Sequence, residues 1–194
     1  SNRKRLAKKL KLNSLAVFNS NDIMPSNADG TLGYIQNSDL FYLSGIHQEE
    51  SMVVICPGFP DKKYREVLFL REPNETMEKW EGHKLTKKEA TEISGIETVV
   101  WVSGFDKLFH HMMTMGGADY VYLNTNEHYR SEVTVQSRDA RFIEWCKSTY
   151  PLHKYERAAT VMSELRRVKQ PREISLIQQA CDITECGFRR VLNY

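Results

Sequence analysis

The chain has 194 residues, 27% charged and 41% hydrophobic, which is the balance of a globular domain long enough for one full core. Its formal net charge of +2 argues against a dedicated nucleic-acid binder, which would be far more basic. No apolar run reaches the length of a membrane span and no secretory signal is present, so we predict no membrane partner.

The four cysteines form no CxxC pair and no disulfide framework. Cys56 follows an apolar run and is typical of a small core residue, and Cys181 and Cys186 lie five positions apart on a predicted helix, so they do not face one another. Reduced thiols are the simplest interpretation, and they predict a cytoplasmic protein.

In chain order, the first predicted element is a basic helix over residues 3–12, whose cationic side chains we assign to a solvated face. A buried strand at 15–18 and a long polar loop at 19–33 follow. Two apolar strands, 52–55 and 66–70, are joined across a turn-rich segment and predict a hairpin.

Strands and helices alternate in the rest of the chain. The further predicted elements are a helix that begins at the capping box Thr86–Glu89 and ends near Gly95, a strand at 98–101, a helix at 105–115 closed by Gly116-Gly117, a strand at 120–123, a helix at 138–148, a short strand at 152–155 and a helix at 158–167. This alternation predicts an α/β fold, and the hairpin makes the sheet mixed.

The last predicted helix begins at Pro171 and is strongly amphipathic. One continuous stripe runs along it, formed by Ile174, Ile177, Cys181, Thr184, Phe188 and Val191. Such a stripe requires a partner surface. Either the helix folds back on its own domain or it belongs to a larger protein, and we favour the second interpretation.

The sequence contains no recognisable catalytic constellation. It has no GxGxxG, GxxxxGK[ST], GxSxG or HExxH motif, and the adjacent His110-His111 cannot chelate a metal from one helix face. Ser38 lies in Gln36-Asn37-Ser38-Asp39, where we expect Asp39 to help cap the helix that follows. We therefore predict no catalytic residue, no metal site and no cofactor within this chain.

Three motifs nevertheless occur in the order of a known family. The first is Tyr34–Gly45, in which the matching residues are Gln36, Asn37, Ser38, Asp39, Tyr42, Leu43 and Gly45, whereas Ile35 replaces an arginine and Ser44 a threonine. The second is Trp80-Glu81-Gly82, and the third runs from Leu165 to Ile174. With these motifs the chain resembles the Xaa-Pro aminopeptidases (aminopeptidase P), within the creatinase, prolidase and aminopeptidase P group.

The resemblance implies a three-layer α/β/α domain with a mixed, roughly six-stranded sheet, like the creatinase N-terminal domain. It implies an N-terminal domain at residues 1–158, followed at 159–194 by a linker and the first helix of a truncated pita-bread catalytic domain. The parent would be a metallopeptidase that removes the N-terminal residue from peptides with proline second. Two divalent metals, manganese by family habit, would be bound in the catalytic domain, outside this chain.

The resemblance also implies what the N-terminal domain does. It would contact its own catalytic domain, form a homodimer or higher homo-oligomer and restrict access to the metal cleft. Trp80, in the polar loop 73–84, is the substrate-side candidate; the alternative is an aromatic anchor of that loop onto its own domain. Two other functions stay open: an interaction module of a metal-free pita-bread relative, or the N-terminal domain of a prolidase- or creatinase-like hydrolase.

Overall fold

The structure is a computed structural model that describes residues 1–115, 118–132 and 134–192, and the side chains in these ranges except those of residues 75, 77 and 78. Gly116-Gly117, predicted to close a helix, lie outside the described residues. The chain divides into two compact units, Ser1–Met162 and Ser163–Tyr194. The boundary that we predict after residue 158 stays a prediction.

The first unit is built on a six-stranded mixed sheet, as predicted. Its strands are β1 (Ser14–Asn19), β2 (Met52–Ile55), β3 (Glu66–Leu70), β4 (Thr98–Trp101), β5 (Tyr120–Leu123) and β6 (Lys154–Arg157). Their order in the sheet is β4-β3-β2-β1-β5-β6. The hairpin supplies the two antiparallel pairs, β1 with β2 and β2 with β3, whereas the pairs β1–β5, β3–β4 and β5–β6 are parallel.

Eight α-helices lie in the described ranges. They are α1 (Asn2–Ala7), α2 (Ser38–Ser44), α3 (Glu75–Glu81), α4 (Lys87–Ser94), α5 (Phe105–Met115), α6 (Arg138–Thr149), α7 (Ala158–Arg167) and α8 (Pro171–Leu192). None of them combines the length and the apolar character that crossing a bilayer requires.

Both faces of the central strands are buried, because helices cover the sheet on two sides. On one face, Leu15 and Val17 of β1 share a core with Phe105 and Phe109 of α5, whose rings stack at a centroid distance of 5.0 Å. On the other face, Phe18 of β1 and Leu68 and Leu70 of β3 are buried, as are Leu40 of α2 and Ala90 of α4. The apolar runs of the sequence are thus explained by a sheet between two helical layers.

Two helices on the second face end in the same way. α2 and α4 both end in Ser-Gly-Ile, and Gly45 and Gly95 adopt φ values of +72° and +65° that favour glycine. The Ser44 and Ser94 hydroxyls each donate back to the carbonyl four residues earlier, at 2.8 and 2.6 Å. Each hydroxyl also accepts the backbone N–H of the following isoleucine.

Arg3 joins these two helix ends to the sheet. Its Nη1 donates to the carbonyl oxygens of Leu43 and Ser94 at 2.7 and 2.9 Å, and its Nε donates to Glu66 Oε2 at 2.6 Å. The residue is only 6% exposed. The prediction that the basic N-terminal helix presents its cations to solvent is therefore wrong for Arg3, since a guanidinium is the group that satisfies three acceptors from three segments.

Other predicted boundaries also change. The first helix ends at Ala7 instead of residue 12, and the last strand runs over Lys154–Arg157 instead of 152–155. The segment 73–84, predicted as a loop, contains the short helix α3. The capping box at Thr86 and Glu89, the strand at 98–101 and the helix at 105–115 are confirmed.

We predict that Arg3→Met lowers the free energy of unfolding by about 3 kcal/mol, because it leaves a carboxylate and two helix-terminal carbonyls without their donor. Urea denaturation followed by circular dichroism measures the change. Lys4→Met removes a neighbouring, exposed cation and should cost less than about 0.5 kcal/mol. Equal losses for the two variants would contradict the structural role of Arg3.

Candidate functional site

The matched motif forms α2 and the turn that leads into it. Asn37 is the N-cap: its Oδ1 accepts the backbone N–H of Asp39 at 2.9 Å and that of Leu40 at 3.3 Å. The expectation that Asp39 helps to cap this helix is therefore wrong, because Asn37 already fills that position. Asp39 lies in the first turn of α2, and its Oδ2 accepts a hydrogen bond from Asn124 Nδ2 at 3.0 Å.

Gln36 fixes the turn before α2 to the turn after it. Its Nε2 lies 3.0 Å from the Gln48 carbonyl and 3.2 Å from the Ile46 carbonyl, and its Oε1 accepts the Asn37 N–H at 2.7 Å. The side chain is 6% exposed. A buried amide with both ends paired holds the loop shape, so the geometry around Gln36 is structural.

The remaining motif residues differ in their surroundings. The Tyr42 hydroxyl accepts from Arg5 Nη1 at 3.0 Å, which ties α2 to α1. Ser38 is exposed at the first position of α2, and Gly45 ends the helix. Ile35, at the position where the family motif carries arginine, is 76% exposed and supplies no polar side chain.

Polar side chains gather where the parallel strands β1 and β5 both end. Asn19 Nδ2 donates to Asp139 Oδ1 at 2.9 Å, and Asn124 Nδ2 donates to Asp39 Oδ2 at 3.0 Å. These contacts join residues 120 and 85 positions apart in the sequence. The two aspartates lie in the first turns of α6 and α2, whose N-termini favour negative charge. We call Asn19, Asp39, Asn124 and Asp139 the carboxyl-edge cluster.

The carboxyl-edge cluster is rich in hydrogen-bond acceptors. The Oδ1 atoms of Asn19 and Asn124 are buried without a partner among the described residues. Burial raises the pKa of Asp139 to about 6; the bond from Asn19 opposes this, and the charge of Asp39 adds to it. A cluster with two carboxylates and two unpaired amide oxygens can receive donors or a positive charge.

Of this cluster, only Asp39 is predicted from the sequence, as part of the family motif. A signal for Asn19 and Asn124 was nevertheless present, since each is the polar residue that ends an apolar strand. In parallel strands such residues meet at one edge of the sheet, but the pairing of β1 with β5 is not readable from local pattern. Asp139 carries no such signal, because an aspartate in a first helical turn is ordinary.

Trp80 lies on α3, outside the carboxyl-edge cluster. Its side chain is 86% exposed, so the alternative that it anchors its own segment onto the domain is wrong. Exposure of so large an aromatic ring is unusual and is more typical of a contact surface than of a structural residue.

The described residues contain no group of three or more histidine, cysteine, aspartate or glutamate side chains that could hold a metal ion. The family resemblance assigns the two divalent metals to a catalytic domain outside this chain, and no group of described residues offers a site for them. That the chain binds no metal stays a prediction.

We predict that Asp139→Asn stabilises the protein at pH 7 by up to about 3 kcal/mol. The native pKa of Asp139, about 6, lies above its unfolded value, so ionisation of the buried carboxyl costs stability as the pH rises from roughly 4 to 6. The gain of the variant should vanish at about pH 3 and below, where the carboxyl is protonated in both states. Urea unfolding at several pH values measures it.

A matched control is Asp106→Asn, which makes the same change at an exposed aspartate in the first turn of α5. It should change the free energy of unfolding by less than about 1 kcal/mol. A gain for Asp139→Asn that is the same at pH 4 and pH 7 would contradict the assignment of a raised pKa.

Comparison with known proteins identifies the family. The model of the aminopeptidase P N-terminal domain matches residues 1–122. The chain is 26% identical over 192 residues to the Xaa-Pro aminopeptidase of Escherichia coli K12, covering 98% of this chain and 43% of that protein. The Haemophilus influenzae Xaa-Pro aminopeptidase is 22% identical over 188 residues, covering 95% and 40%. The chain thus spans less than half the length of these relatives.

Solved structures agree with this match. Escherichia coli aminopeptidase P in its low-pH form superimposes with a TM-score of 0.71 at 26% identity, covering 94% of this chain and 41% of that one. A Bacillus anthracis protein assigned as an aminopeptidase P shares the fold at a TM-score of 0.83 and 23% identity, covering 96% and 44%. The chain belongs to the aminopeptidase P N-terminal domain family.

Proposed function

We propose that the chain is the non-catalytic N-terminal domain of an Xaa-Pro aminopeptidase, a hydrolase that releases the N-terminal residue from peptides with proline second. The observation that carries the proposal is the match of 98% of this chain to less than half of an Xaa-Pro aminopeptidase. A fold alone does not define a reaction, so the support is the family membership together with the names of the relatives.

In this proposal the chemistry resides in a catalytic domain that follows the present residues. The metals, manganese by the family resemblance, would be held there, in a cytoplasmic enzyme. The domain described here would contact the catalytic domain, form subunit contacts and limit access to the cleft.

Trp80 is the residue of this domain that we propose to reach the substrate end of the cleft, in its own subunit or a neighbouring one. An indole offers a rigid apolar face and one N–H donor, which suits contact with a peptide backbone or a proline ring. Its 86% exposure leaves that face available. The motif residues Gln36, Asn37 and Gly45, by contrast, act by shaping the domain.

The apolar stripe of α8 supports the proposal of a catalytic-domain partner. Ile174, Ile177, Phe188 and Val191 are all more than half exposed. Leaving four such side chains in water forfeits several kcal/mol at ~25 cal/mol per Å². In the longer protein the catalytic domain would cover this stripe, and in the 194-residue chain a second copy would.

The proposal is tested in a longer protein, encoded by this sequence together with the codons that follow it. Trp80→Ala should lower kcat/KM for an Xaa-Pro peptide by about tenfold, because the indole contact is lost, whereas Trp80→Phe should lose less. Tyr129→Ala, at an aromatic side chain that is 83% exposed, should leave kcat/KM unchanged.

The 194-residue chain is the control for this assay. With manganese it should show no turnover above a metal-only blank and no saturable heat in a titration, because hard cations require several converging oxygens. A longer protein that lacks the metal ligands, and is inactive, would instead favour the interaction-module alternative. Cleavage of dipeptides alone would favour a prolidase-like function.

We predict that the 194-residue chain self-associates through α8. Phe188→Asp should shift the sedimentation coefficient toward the monomer, because a carboxylate interrupts the apolar stripe. Gln179→Asp, on the opposite side of the same helix, should not. If removal of residues 171–194 leaves the sedimenting species unchanged, the contact between copies lies elsewhere.

A further inference from the structure

The helix that carries Trp80 cannot be held by its own backbone. α3 has seven residues, well below the ~12–15 that an isolated helix requires in water. Gly82, just after its end, has φ = +79°. What fixes α3 must therefore come from side chains that tie it to the rest of the first unit.

Among the described residues, charged side chains make such contacts. Arg71, directly after β3, donates from Nη1 to Glu81 Oε2 at 2.9 Å and from Nη2 to Glu81 Oε1 at 3.4 Å. Lys84 Nζ lies 3.4 Å from the same Glu81 Oε2. Glu81, the last residue of α3 and the neighbour of Trp80, is thus held between the cation that precedes the helix and the cation that follows it.

Both cations are in turn anchored on the segment before β2. Lys84 Nζ donates to Glu49 Oε1 at 2.5 Å, and Arg71 Nη1 lies 3.7 Å from that oxygen and 3.6 Å from Glu50 Oε1. One position further along, the Leu85 N–H donates to Gln48 Oε1 at 2.8 Å. Three consecutive side chains, 48–50, therefore bind the two ends of the segment that carries α3.

Because Glu49 and Lys84 are both buried, the fold requires that their charges be paired. Glu49 and Lys84 are 7% and 6% exposed, so neither charge is solvated by bulk water and each depends on its partner. Glu81 is different: its side chain is 40% exposed, and removing its charge leaves the Glu49–Lys84 pair in place. Through its contacts with Lys84 and Arg71, Glu81 fixes the end of α3 relative to the buried pair.

We propose that Glu49, Arg71, Glu81 and Lys84 form a charge clamp that sets the orientation of Trp80 on α3, so that Glu81 and Lys84 are positioning residues for the contact that Trp80 makes. That a substrate cleft receives this contact rests on the proposed function. The clamp itself is a property of the first unit and can be tested without catalysis.

The test uses the 194-residue chain labelled with 5-fluorotryptophan. The chain has three tryptophans, and the fluorine resonance of Trp80 is the one that disappears in Trp80→Phe. In Glu81→Gln the Trp80 resonance should move to a new chemical shift or change its line width by at least about twofold, because α3 gains motion. The resonances of Trp101 and Trp145 should keep their wild-type positions.

The matched control is Glu72→Gln, which removes an exposed carboxylate from the same segment and should reproduce the wild-type spectrum. If Glu81 only stabilised the fold, Glu81→Gln would lower the thermal midpoint of unfolding. We expect Glu81→Gln and Glu72→Gln to have the same thermal midpoint of unfolding. Lys84→Arg, which keeps a cation beside Glu49 and Glu81, should reproduce the wild-type Trp80 resonance.

A Trp80 resonance that is the same in Glu81→Gln and in the wild type would overturn the clamp. That outcome leaves the proposed function standing, since the loss of kcat/KM in Trp80→Ala of the longer protein tests it independently. Conversely, a changed resonance with full activity of Trp80→Ala would establish the clamp and overturn the role of Trp80 at the cleft.

Discussion

The buried guanidinium of Arg3 is the interaction on which the helical layer above the second face of the sheet depends. It is the donor that two helix C-termini and one strand share, and both helices end in the same Ser-Gly-Ile sequence. Because the last carbonyls of a helix carry partial negative charge, a cation at their meeting point stabilises both ends at once. The C-terminal end of α2 is fixed by this contact, while the bond between Arg5 and Tyr42 ties the same helix to α1.

The mixed strand order has a second consequence for function. Inserting the β2–β3 hairpin beside β1 leaves β1 and β5 parallel, and their carboxyl ends bring together Asn19 and Asn124. The same hairpin places the segment before β2 beside the end of β3, where Glu49 meets Arg71. The carboxyl-edge cluster and the charge clamp thus both depend on the position of the β2–β3 hairpin in the sheet. Both lie where chain segments distant in sequence meet.

Local pattern predicted most elements, since each depends on residues within a few positions of one another. The capping box at Thr86 and Glu89 specifies a helix start, and continuous apolar runs specify buried strands. Local pattern failed at α3, because a seven-residue segment is too short to form a stable helix by itself and its ends are held by charges distant in the sequence. It failed at Arg3 for the same reason: the acceptors lie 40 to 91 positions away.

By itself, then, the sequence determined the α/β class, the six strands, the family motifs and the amphipathic character of α8. Each of these features depends on the periodicity or the short spacing of residues that are close together in the sequence. Only the tertiary structure decided which polar residues became partners. It buried Arg3, Glu49 and Lys84, raised the pKa of Asp139 and left Trp80 exposed. The physical reason is that burial and charge pairing are properties of positions in space, and those positions exist only once distant strands have paired.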